Sequence, residues 1–153
     1  MSTTHPEPPT VGEPAGPDDP GPEAAASLTR VLAVLGASSV VIGGLVAVAS
    51  SHPGRRAFGQ QTAAWGAINL GIAGFGAWRS GSRPARAAGL RRTLLVNAGL
   101  DVVYVAAGAH VAHHRTTFGS RVDPAAARGH GLAVVGQGLA LMALDLTYAA
   151  RLA

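Results

Sequence analysis

The 153-residue chain contains no cysteine and no lysine. The first absence excludes disulfides, thiolate metal sites and cysteine chemistry outright. The second makes arginine the sole carrier of fixed positive charge, which reads as compositional bias rather than function. Charge as a whole is scarce, at 13% of residues against about a quarter in soluble domains. Enzyme signatures are missing too: there is no serine–histidine pair, glycine-rich phosphate loop or HExxH, so no enzyme is expected. A pI near 11 invites a nucleic-acid reading. The arginines, however, sit between apolar segments and do not line one helical face, so nucleic acid is excluded as a partner.

What remains is apolar. Residues 1–22 hold seven of the ten prolines and four of the eight acidic residues (Glu7, Glu13, Asp18, Asp19). Such a stretch cannot bury enough apolar surface to fold, and a disordered acidic tail is expected over residues 1–24. The other prolines, Pro53, Pro84 and Pro124, each fall between apolar runs and divide the rest into four segments. These are 31–49, 57–78, 93–112 and 129–150, each close to the roughly 20 residues that cross a hydrocarbon core. None alternates as a barrel strand would. Asp123-Pro124 reads as an N-cap followed by proline at the first helical position, so the fourth helix should begin there. Ala47-Val48-Ala49 would satisfy a signal-peptide cleavage rule, but the acidic leader and the long apolar run favour an uncleaved helix. The expected fold is all-α: a four-transmembrane-helix bundle over residues 25–153.

Arginine placement orients it. Arg79, Arg83, Arg86, Arg91 and Arg92 lie between helices two and three, and cytoplasmic termini give seven arginines inside against five outside. The positive-inside rule then puts both termini in the cytoplasm of a cell with the chain in its inner membrane. Trp78 would sit at the cytoplasmic interface. Fourteen of the 21 glycines lie inside the four segments, where small residues let helices approach closely. Ala67/Gly71, Ala73/Ala77 and Gly136/Ala140 have the small-xxx-small spacing and are the expected packing pairs.

Polar residues inside lipid need a reason. Asn97, Asp101, Tyr104 and Gly108 share one face of the third segment by their spacing. Gln61, Trp65 and Asn69 are spaced by four on the second. His130, Gln137 and Tyr148 form a stripe on the fourth with Asp145 at its edge. The first has only Ser38 and Ser39, so it is expected to pack outside a polar core of Trp65, Asn69, Asn97, Asp101, Tyr104, Gln137, Asp145 and Tyr148. At 1.5 Å per residue, Asp101 and Asp145 each lie about 11 Å from a cytoplasmic helix end, at one depth. A charged aspartate at a helix centre costs on the order of 3 kcal/mol, and two close together in low dielectric are not both expected to be ionised. The simplest expectation is a hydrogen-bonded network holding the bundle. The functional alternative is a small proton-coupled transporter or channel-like unit using the two aspartates.

His110, His113 and His114 close helix three, and His130 opens helix four. His110 and His114 have a spacing that one metal can bridge, with His130 as a third candidate. Without cysteine such a site would be imidazole only, for zinc, copper or haem. No cofactor is expected, and these histidines read more simply as interfacial.

Trp65-Gly66-x-x-Asn69, Asn97-x-x-Leu100-Asp101-x-x-Tyr104-x-x-x-Gly108 and Gly129-His130-Gly131 with Gln137-Gly138 and Asp145 together make a pattern. It resembles a family of small bacterial four-helix integral membrane proteins classified as a domain of unknown function, over about residues 57–152. The resemblance implies no activity, substrate or cofactor, and suggests that the quoted residues form one constellation. The expected partners are the lipid bilayer and a second copy or another membrane protein.

Overall fold

The computed structural model describes residues 18–117 and 119–153. The tail over residues 1–17 lies outside the described residues. Four α-helices follow in order: α1 (Gly21–Ala49), α2 (Pro53–Ser80), α3 (Ala87–His114) and α4 (Pro124–Arg151). No strand forms among the described residues. Each helix is longer than its apolar segment, because polar capping residues extend it beyond the run that buries or faces lipid. α1, α2 and α4 start on proline at or next to the first helical position, where the missing N–H costs nothing. Asp123 caps α4 as its sequence indicates, its Oδ1 accepting from Ala125 N at 2.8 Å and Ala126 N at 3.1 Å.

The expected tail boundary at residue 24 is too late. α1 begins at Gly21, and Asp19 is a structural residue. One oxygen, Asp19 Oδ1, accepts from Gly21 N at 2.8 Å and from Ala87 N at 3.0 Å. These are the first amides of α1 and α3, so one carboxylate satisfies orphan donors on two helices and sits at both positive helix ends.

α1 packs on α2, α3 packs on α4, and the two hairpins join chiefly along α2 and α4. The packing pairs are not those expected from spacing. Gly71 and Gly136 have open space around them, and of the six residues proposed only Ala73 is buried. The close approaches are elsewhere. A Cβ on Gly43 would lie 2.6 Å from Ala63 N and 2.7 Å from Gly59 O, and one on Gly36 would lie 2.9 Å from Gly66 O. Gly108 and Gly131 face each other in the same way between α3 and α4, and Gly129 meets Gly54 between α4 and α2. Small residues are abundant enough in these helices that the spacing recurs on every face, and only the packing selects one.

Burial is inverted relative to a water-soluble bundle. Asn69, Asp101, Gln137 and Asp145 are buried, while Val34, Ile42, Leu45, Ile72, Phe75 and Val103 are exposed. Three helices, α1, α3 and α4, are long and apolar enough to cross a membrane. α2 is not, which corrects the expectation of four on composition. Its glycines and Gln60, Gln61, Thr62 and Asn69 lower the hydropathy of the helix as a whole, although its outer face is apolar at Ile68, Ile72 and Phe75.

Two outcomes follow. Asp19→Ala should cost about 1–2 kcal/mol, as loss of a helix cap does, and lower the Tm in detergent by several degrees. Gly43→Ala should destabilise by about 1–3 kcal/mol through overpacking, whereas Gly44→Ala, next to it with open space beyond, should match or exceed the parent. Equal melting of the two variants would contradict the interface described.

Candidate functional site

The centre of the bundle is polar. Asn69 on α2 is only 1% exposed, one of the two largest fully buried side chains. Asp101 on α3 and Gln137 and Asp145 on α4 are also buried. Trp65, half-buried on α2, sets its ring edge-on against Tyr104, with centroids 5.6 Å apart and planes at 75°.

One hydrogen bond in this centre reaches the helix expected to stand outside it. Gln137 Nε2 donates to Ser39 Oγ of α1 at 3.1 Å, and Ser39 is buried. α1 is therefore part of the polar core. Four buried atoms there have no protein partner: Trp65 Nε1, Asn69 Nδ2, Asp101 Oδ2 and Gln137 Oε1. Two are donors and two are acceptors, so the set is complementary in kind yet unpaired. A buried group left in this way costs about 1–3 kcal/mol.

Other expected members go elsewhere. Asn97 is exposed and Tyr104 is 45% exposed. The buried face of α3 runs through Leu94, Ala98, Asp101 and Gly108. At about 100° per residue, Asn97 and Tyr104 lie on one edge of that arc, away from its centre. Tyr148 is buried, but its hydroxyl pairs with Ser27 Oγ of α1 at 2.8 Å, one end of the bundle away from the centre. There it joins an apolar cluster with Leu94, Ala149 and Leu152, and the Arg151 guanidinium lies 5.0 Å from its ring centroid.

The three candidate metal ligands do not assemble. His110 and His114 stack with centroids 4.5 Å apart, but His130 Nδ1 bonds Gln61 Oε1 at 3.1 Å, tying α4 to α2. Since the amide oxygen only accepts, Nδ1 carries the proton in this pair. Among the described residues no group of three or more histidine, cysteine, aspartate or glutamate side chains could hold a metal ion.

A model of a family of unknown function, DUF6992, matches residues 31–146. The chain belongs to that family. The match reaches back through α1, which the sequence pattern had left out, and so covers Ser39 along with Asn69, Asp101, Gln137 and Asp145. No curated protein and no solved structure matches the chain.

Sequence reasoning left Ser39 outside the core because two adjacent serines in an apolar run carry no period. It missed the Ser27–Tyr148 and Gln61–His130 pairs because each links residues far apart in the chain. A double-mutant cycle on Ser39→Ala and Gln137→Leu should give a coupling of about 0.5–1.5 kcal/mol in detergent unfolding. A coupling of zero would remove α1 from the polar core.

Proposed function

We propose that the protein is a non-enzymatic, four-span protein of the inner membrane, with both termini cytoplasmic, whose buried aspartates share a proton in a hydrated centre. In that reading it is a small proton-coupled unit. The observation that carries it is the unpartnered Asp101 Oδ2 in a bundle that buries a second carboxylate, Asp145. A network serving only to hold the bundle would pair its groups, as buried polar groups nearly always are. Two donors and two acceptors without protein partners are instead groups that water can satisfy. Beside such water a carboxylate can give up and regain a proton while its neighbour balances the charge.

The geometry of α2 supports four spans in place of three. Only Ser50–His52 separate α1 from α2, and the helices pack from Ala47/Gly59 to Thr29/Gly76. That stretch is about 26 Å long at 1.5 Å per residue. A helix held against a spanning helix over that length shares its depth. The inverted burial supports lipid as the surrounding solvent, since large aliphatic side chains outside and aspartates inside suit hydrocarbon. Four helices leave little room for a pathway, so the unit is expected to work as an oligomer. The open surfaces at Gly71 and Gly136 offer a second copy close approach.

Asp101→Asn and Asp145→Asn test the proton. The parent, reconstituted at neutral pH, should show the infrared carbonyl stretch of a protonated carboxylic acid, and one of the two variants should lose it. Both variants should melt at or above the parent Tm, because asparagine keeps the shape without the cost of an acid in lipid. If the band is missing from the parent, or both variants lose several degrees, the centre is structural only.

A further inference from the structure

The end of the bundle away from Asp19 gathers basic side chains from three helices. There the α1–α2 and α3–α4 connections enclose a cavity of about 480 Å³. Three arginines line it, Arg55 from the start of α2, Arg115 from the end of α3 and Arg128 from the first turns of α4, together with His52. No acidic side chain lines it, and its remaining walls include Val46, Phe58 and Leu132. Asp123, the nearby acid, is engaged with the α4 amides.

His52 Nδ1 accepts from Gly54 N at 3.1 Å, which leaves Nε2 as the nitrogen that carries a proton. Arg115 ends α3 with φ 50 and ψ 47, a left-handed conformation that glycine adopts at lower cost. Arg115 and Arg128 also line an adjoining cavity of about 440 Å³ with His113 and Leu132, so the positive charge is continuous across this end. The N-termini of α2 and α4 open on the same end and add to that potential. Guanidinium forks match the oxygens of a phosphate two at a time, and the aliphatic and aromatic walls match a hydrocarbon chain.

We propose that this cavity binds the headgroup phosphate of an anionic phospholipid in the outer leaflet, its acyl chain running along Val46, Phe58 and Leu132. The placement in a leaflet rests on the membrane reading above. The chemistry rests on the cavity alone.

The test is native mass spectrometry of the detergent-extracted protein titrated with phosphatidylglycerol or phosphatidylcholine. Phosphatidylglycerol should bind in preference, and Arg115→Gln/Arg128→Gln should weaken it about fivefold per arginine removed. Arg83→Gln/Arg86→Gln, in the connection at the other end, should not. Arg115→Lys/Arg128→Lys, which keeps the charge but not the fork, should fall between. Should the double variant fail to fold, Arg55→Gln alone should give a single fivefold loss. Equal loss in the Arg83/Arg86 variant would show unspecific charge attraction, and unchanged binding in the Arg115/Arg128 variant would show that the cavity is not the site. Inorganic phosphate added as competitor should not displace the lipid; if it does so at comparable concentration, the site takes a soluble anion and the lipid proposal is overturned. A chain recovered without detergent from the soluble fraction would defeat the membrane reading before any lipid is added, so the two failures are distinguishable.

Discussion

Helix backbones meet directly at Gly36, Gly43, Gly59 and Gly66 in one hairpin and at Gly108 and Gly131 in the other. The remaining features depend on that contact. In hydrocarbon, helices gain nothing by hiding leucine from the solvent, so close van der Waals approach and polar contacts have to hold them together. A single methyl at most of these glycines would lie within 3 Å of a neighbouring backbone atom, which leaves no slack to absorb it. The approach also brings Ser39 within reach of Gln137, short side chains that a wider spacing would leave apart.

The two ends of the bundle are built differently. At one, Leu94, Tyr148, Ala149 and Leu152 form an apolar plug, and the Asp19 carboxylate joins the starts of α1 and α3. At the other, three arginines and a histidine surround a cavity with no acid in its lining. Between them lie two aspartates, an asparagine and a glutamine with several groups unpaired. The bundle is therefore asymmetric from one end to the other, with its buried carboxylates between the two.

Much of the fold could be read in the chain, and the reasons are local. Pro53 and Pro124 cannot continue a helix, and both stand at helix starts. Asp123 followed by proline can hardly do other than cap one. The burial of Asn69, Asp101, Gln137 and Asp145 agrees with the cost of turning such groups toward lipid. Asn97 and Tyr104 show the limit of that reasoning. Their spacing puts them beside Asp101, but a face is an arc, and which part of the arc is buried depends on where α4 stands.

Helix number, the capped start of α4 and the identity of most buried polar residues were thus determined by the sequence by itself, because they follow from backbone chemistry and from the free energy of single side chains in an apolar solvent. Which glycines touch, that Ser39 completes the centre, that Tyr148 leaves it for Ser27, that His130 pairs with Gln61 and that Arg55, Arg115 and Arg128 share a cavity were decided only by the tertiary structure. Each of these depends on the rotation and offset of one helix against another. Those quantities are set by the whole set of contacts at once, and no single stretch of the chain encodes them.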